Sequence, residues 1–254
     1  MISDALALIR SDLLKLRRRR GLMAIAALIA VGSVAVVFIV TAARHGANPQ
    51  DVRPAGGVKS FQDATDFLGI VAVVLAAMIG VTAGAGDAEL GTLRDLLATG
   101  RSRLAFYASR AVAAVVTTTA LLVGALVVVT VCSIVLAGSL PAPSVSDIAQ
   151  RDGAVLAFGA MGAVVCTGIA TFVRSRGPLM ASVIALGALI SQVLLQVSFL
   201  GSLREALPLA TFQRMAGDTI SGLHFQLPVA IAIAVAWALA ALVAGGWWAR
   251  RVEV

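Results

Sequence analysis

The sequence predicts an all-α membrane protein with six transmembrane helices, and three observations carry that expectation. Hydrophobic residues make up 59% of the 254 and charged residues 13%, against about 45–50% and 25% in soluble domains. A soluble fold could not hide so much apolar surface, because too few charged residues remain to cover it. Six uncharged stretches each supply the roughly 20 residues that a helix needs to cross a hydrocarbon core. Alternation at period 2 is absent, which sets aside a β-barrel.

Ahead of the first stretch, Ile2, Leu6, Ile9, Leu13 and Leu16 fall on one helical stripe, with Arg10, Asp12 and Lys15 off it. Residues 1–20 are therefore expected to lie in the membrane interface, arginines toward phosphate groups. The spans are predicted at about Leu22–Ala43, Phe67–Gly86, 111–137 (in an apolar run that continues to Leu140), Gly153–Val173, Gly177–Leu203 and Leu227–Ala249. The last ends in Trp247-Trp248, an aromatic pair suited to a headgroup boundary. Arg17–Arg20 before an apolar run has the outline of a secretory signal. Its 22 uncharged residues exceed the usual core of about 7–15, and Thr41-Ala42-Ala43 is a poor cleavage site, so the segment is expected to remain as the first span.

With the N-terminus placed inside, fourteen of the 20 Lys and Arg residues fall in inner segments and six in outer ones, while acidic residues divide six to seven. That asymmetry places both termini in the cytoplasm and the chain in the plasma (inner) membrane. The net charge of +7 then reads as an orientation signal and as contact with anionic membrane lipids, not as a nucleic-acid surface. Cys132 and Cys166 lie in apolar runs and offer neither a disulfide framework nor a metal spacing.

Between the spans, Arg44–Asp66 carries Pro49, Pro54 and Gly56-Gly57 and reads as an irregular outer loop. Its Gly57-Val58-Lys59-Ser60 lacks the preceding strand and the second glycine of a phosphate loop. Arg204–Gln226 is too apolar for a free loop and too charged for a span. A pair of short interfacial or re-entrant helices fits it, as does a loop packed across the helix ends. No Asp, Glu, Lys or Arg falls inside the predicted spans, which weighs against a proton-coupled carrier or ion pump. Ser191, Gln192 and Gln196 are the polar group at depth, able to line a translocation path or to bond a neighbouring helix. Gly80 and Gly84, and Gly187 and Ser191, form small-residue pairs that permit close helix approach within or between subunits.

The inner stretch after the second span reads Glu89-Leu90-Gly91-Thr92-Leu93-Arg94-Asp95-Leu96-Leu97-Ala98-Thr99-Gly100-Arg101-Ser102-Arg103. Thr92 as N-cap with Asp95 three residues on makes an approximate capping box. Leu93, Leu96 and Leu97 form an apolar stripe, and Gly100 supplies a stop. The prediction is a short amphipathic helix joined to two spans and suited to receiving force from a cytoplasmic partner.

At Glu89, Gly91, Thr92, Leu93, Leu96, Leu97, Thr99, Ser102, Arg103 and Arg110 this segment resembles the permease subunits of ABC-2-type ABC transporters. It departs at Gly100, where that family usually has Pro, a change that keeps the stop and loosens it. The leader helix, six spans, inward termini and apolar segment before the last span extend the resemblance over the chain. The resemblance implies that the segment around Thr92–Arg103 is a coupling helix seated in a groove of an ABC ATP-binding subunit, with Glu89 and Gly91 among the coupling residues, and that residues 1–20 are the elbow helix. It also implies a second permease subunit, the two forming the path of an exporter. ATP and Mg would be bound in the partner. No catalytic residue, metal or cofactor is expected in this chain, and no G-x-x-x-x-G-K-[ST] run occurs in it. The apolar span interiors suit a hydrophobic or amphiphilic solute such as a drug or lipid-like compound. Two other classes stay open: a non-transporting membrane scaffold or sensor-associated subunit, and, more remotely, an intramembrane hydrolase, for which His45, His224 and Ser221 are poorly arranged.

Overall fold

The computed structural model describes residues 2–89, 102–173, 175–218 and 225–251, and every regular element among them is helical. Helix α1 spans Ile2–Arg18. Arg19, at φ −77° and ψ 66°, breaks it from α2, Arg20–Ala47. Then follow α3 (Gly57–Glu89), α4 (Arg103–Val135), α5 (Val145–Ala170) and α6 (Arg176–Gln196). A 3-10 segment at Ser198–Ala206 leads to α7 (Pro208–Ala216), and α8 occupies Leu227–Arg251. Six of these, α2 to α6 and α8, are long and apolar enough to cross a membrane.

Several helices outrun their apolar cores, because paired or capped charges are compatible with helix. The stretch expected to be an irregular loop up to Asp66 is helical from Gly57. There Asp63 pairs with Arg53 and Lys59, while Phe61 and Ala64 face inward. Helix α5 starts at Val145 instead of Gly153. Ser144 Oγ accepts from the Asp147 amide and Asp147 accepts from the Ser144 amide, each at 3.2 Å, which closes a capping box. Charged residues expected in loops therefore stand on helix walls, Arg110 and Arg151 among them, both buried.

The fifth span is shorter than its hydropathy. It ends at Gln196, and Val197 is extended at φ −81° and ψ 101°. Arg204 folds back so that its Nη1 donates to the Leu195 carbonyl at 3.1 Å, satisfying an acceptor that the helix end leaves open. Of the expected pair of helices in Arg204–Gln226, α7 is observed, and residues 219–224 lie outside the described set. Both α2 and α6 contain a π turn, at Leu28–Gly32 and Ala185–Ile190. Ser33 and Ser191 hydroxyls bond carbonyls within those turns, to Ile29 and Leu186.

Helix α3 is the centre of the bundle, with α5 and α4 along its sides and α2, α6 and α8 at the periphery. Its small residues meet α5 directly. A Cβ on Gly80 would sit 2.7 Å from Cys166 Cβ and 2.8 Å from the Ala163 carbonyl oxygen, and one on Gly84 2.6 Å from Ala170 Cβ. Gly187 packs on Val73 in the same way. These close approaches are all within one chain. Gly80→Val is expected to cost about 1–3 kcal/mol or more through overpacking, read as a lower unfolding midpoint of the detergent-solubilised chain. Gly46→Val, where nothing lies within 4 Å of the new Cβ, should leave the midpoint close to the parent value.

Candidate functional site

The end of the bundle that carries α1 and the helix termini at Glu89, Arg103, Arg176 and Arg251 is rich in arginine and is here termed the basic end. The other end is the distal end. The described residues that flank the candidate coupling segment, Glu89 and Ser102, lie at the basic end. Of its residues, Gly91, Thr92, Leu93, Leu96, Leu97 and Thr99 lie outside the described set, and so does the helix expected there. Glu89, Ser102 and Arg103 are described, and they form two shoulders from which the segment departs.

Each shoulder is tied to a different peripheral span. Glu89, on the last turn of α3, pairs with Arg176 Nε on the first turn of α6. Ser102 N-caps α4, its Oγ accepting from the Ala105 amide at 3.2 Å, and such a cap is typically worth about 0.5–2 kcal/mol. Arg103 Nη1 donates to the Arg250 carbonyl at the end of α8, 3.4 Å away. A cation against a helix's last carbonyls is favoured by the helix dipole. Further along, Tyr107 donates to the Ala241 carbonyl of α8 at 3.1 Å. The two ends of the candidate segment thus contact α6 and α8 as well as continuing into α3 and α4.

Helix α1 docks on the same end through a polar contact. Asp12 is buried, accepts from Ser109 Oγ of α4 at 2.6 Å, and pairs with Lys15 Nζ at 3.3 Å. The hydrophobic stripe expected to meet lipid is accordingly divided. Leu16 joins the core beside Asp12, while Leu6, nearer the start of the helix, is half exposed. The burial of an aspartate could not be inferred from periodicity, because its partner lies 97 positions away. Beneath α1, a crevice is lined by Asp12, Lys15, Arg19, Thr82, Gly86 and Arg110.

The candidate path residues point in two directions. Ser191 is buried and donates to the Leu186 carbonyl at 2.7 Å. Gln192 and Gln196 face outward from the chain on the side of α6 that also presents Leu189 and Val193, 67% and 63% exposed. Of the hydrolase candidates, His45 Nδ1 lies 2.6 Å from the Val52 carbonyl oxygen at the distal end, while Ser221 and His224 are outside the described residues. Among the described residues, no group of three His, Cys, Asp or Glu side chains is placed to hold a metal ion.

A second polar cluster, at the distal end, was not foreseen. Arg151 of α5 donates from Nη1 to Asp66 Oδ1 of α3 at 2.8 Å and from Nη2 to Asp218 Oδ1 at 2.5 Å. The sequence places these residues 85 and 67 positions apart. The available signal was the Ser144–Asp147 capping pair, which carries Arg151 from a loop onto a helix. The chain matches no protein-family model and no curated protein.

Ser109→Ala removes the donor to a buried carboxylate, a loss of about 1–3 kcal/mol. It is expected to loosen α1, read as roughly tenfold faster tryptic cleavage at the exposed Arg17–Arg18 pair in native conditions. Ser11→Ala, on an exposed position of the same helix, should leave the cleavage rate unchanged.

Proposed function

We propose that this chain is the membrane-spanning permease subunit of an ATP-driven exporter of the ABC-2 type. In this reading the basic end faces the cytoplasm and the plasma (inner) membrane is crossed six times. Residues 89–103 are the coupling segment received by a separate ABC ATP-binding subunit, which binds ATP and Mg and performs the hydrolysis. Helix α1 is the elbow helix at the cytoplasmic interface, its arginines against anionic lipid. The observation that carries the reading is the attachment of the segment's two shoulders. A push on residues 90–101 is delivered to α3 and α4 along the chain, to α6 through Glu89–Arg176 and to α8 through Arg103 and the Arg250 carbonyl. One small contact can in this way bias two arrangements of four spans, which is what a nucleotide-driven switch requires.

A second permease copy completes the path. The outward face of α6 places Gln192 and Gln196 among apolar side chains at membrane depth, where an amide facing lipid is costly and an amide facing a partner helix or a hydrated path is not. The cargo expected from such walls is a hydrophobic or amphiphilic solute, drug or lipid-like.

The test is to look for an ATP-binding cassette encoded in a neighbouring reading frame and to co-express it with this chain, followed by co-purification and measurement of ATP hydrolysis. Recovery of a stable complex whose hydrolysis responds to amphiphilic solutes is expected. Replacing Glu89 with Gln and Leu96 with Ala together should reduce that response about tenfold or more. Removal of these side chains costs on the order of 1.4 kcal/mol or more of coupling in this reading. Intact assembly and an intact response in the double variant would remove the coupling assignment and leave a scaffold.

A further inference from the structure

We propose that the crevice beneath α1 binds one phosphodiester of an anionic membrane lipid, with Arg19 and Thr82 as its donors. The crevice lies at the membrane boundary. The apolar run of α2 opens at Leu22, that of α3 closes at Gly86 and that of α4 opens at Ala111. Arg19 and Arg110 line the crevice at this level, and Thr82 lines it one turn further in. Lipid phosphates meet a spanning bundle at the same depth.

Two donors in its walls have nothing to bond. Arg19 stands in the break between α1 and α2 and reaches across to α3, where a Cβ on Gly86 would lie 3.2 Å from its Nη2. It is half-buried, and among the described residues its side chain has no carboxylate or carbonyl partner. Thr82 is 4% exposed. A threonine within a helix commonly turns its hydroxyl back to the carbonyl four residues earlier, as Thr117 and Thr167 do. Among the described residues the Thr82 hydroxyl makes no such bond, and its side chain borders the crevice instead. Burying a hydroxyl or a guanidinium without a partner is costly, and an anion between the two supplies acceptors to both.

The surroundings select the kind of anion. Arg110, which is 8% exposed, and Lys15 bring two further cations to the walls, while the Asp12 carboxylate is engaged by Ser109 and Lys15. The cavity is about 20 Å³, room for one or two oxygen-sized groups. The non-bridging oxygens of a phosphodiester have that size, and a guanidinium matches their geometry. The rest of the headgroup stays outside, where Lys15 also borders a shallow groove along α1 with Arg10 and Arg18. Those cations disfavour a headgroup that carries its own positive charge. On the membrane side α2 exposes Ile25 and Leu28, along which an acyl chain can run. A free phosphate would use the donors alone, whereas a lipid uses donors and apolar flank together. The inference rests on the functional reading only in setting the basic end at a leaflet surface. It involves no ATPase and no transported solute, so the two can fail separately.

The test uses the full chain in detergent micelles, titrated with dioleoylphosphatidylglycerol and read by native mass spectrometry as the fraction carrying one lipid. Saturable binding of one molecule is expected, about tenfold tighter than that of dioleoylphosphatidylcholine. Arg19→Gln should weaken it about tenfold, and so should Thr82→Val, which keeps the side chain's shape but removes the donor. Thr82→Ser, which keeps the hydroxyl, should bind like the parent, as should Arg17→Gln at an exposed position of α1. Equal weakening by Arg17→Gln and Arg19→Gln overturns the proposal in favour of diffuse charge attraction. Parent-like binding by Thr82→Val overturns it as well. Displacement of the lipid by an equal concentration of inorganic phosphate overturns the lipid assignment in favour of a free-phosphate site.

Discussion

The close approach of α3 to α5 is the constraint on which the rest of the structure depends. Apolar helices in lipid gain little from the hydrophobic effect when they meet, because the tails they leave are as apolar as the partner they find. Their association has to come from packing at short range, and Gly80 and Gly84 allow that range by bringing the α3 backbone against Ala163, Cys166 and Ala170. The Thr167 hydroxyl uses the same proximity, lying 3.3 Å from the Gly80 carbonyl while bonding its own helix at 2.7 Å. On the distal side the seam continues through Gly162 against Ala76 and ends at the Asp66–Arg151 pair. Both helices therefore behave as one body, held by fit along most of their length and by charge where it meets water.

The peripheral helices are held differently. Helix α8 touches the core at a few defined points, where Gly168 lies against Ala241 and Tyr107 against Gly245, and its remaining surface is largely exposed. Helices α2 and α6 each contain a π turn, a place where the ladder of i→i−4 bonds is already interrupted and bending costs less. A rigid pair at the centre with bendable helices around it concentrates deformation in α2, α6 and the segment that follows α6. Chain connectivity agrees with this division. The ties at the basic end are a part-exposed ion pair and a side chain on a carbonyl, which yield more readily than packed backbone does.

Hydropathy was enough to find six long apolar helices, because each carries at least twenty residues that only lipid or protein can cover. It failed at their ends for a consistent reason. A window that scores Lys59, Asp63 and Asp66 as polar reads a loop, although Asp63 pairs with Arg53 and Lys59, and Phe61, Thr65 and Leu68 form a buried face one turn apart. It overran at Leu203 for the opposite reason, since Val197–Leu203 is apolar yet extended and then 3-10, with Arg204 donating to the Leu195 carbonyl that the helix end leaves open. Of the candidate site, the residue types at Glu89, Ser102 and Arg103 were legible, but their partners Arg176 and the Arg250 carbonyl were not, because pairing across 87 and 147 positions is a property of the bundle and not of any window. The Arg151 cluster was hidden by the same limit.

The two ends of the molecule can be related through the length of α3. Its 33 residues make a rod of about 50 Å at 1.5 Å per residue, stiffened by the contact with α5 along one side. From Glu89 to Asp66 that rod covers about 35 Å at 1.5 Å per residue, so one continuous helix joins the ties at the basic end to the Arg151 cluster. There α3 meets Arg151, and through it Asp218. The two ends are held in different ways: the part-exposed ties at the basic end yield readily, whereas the buried arginine at the distal end is costly to leave unpaired.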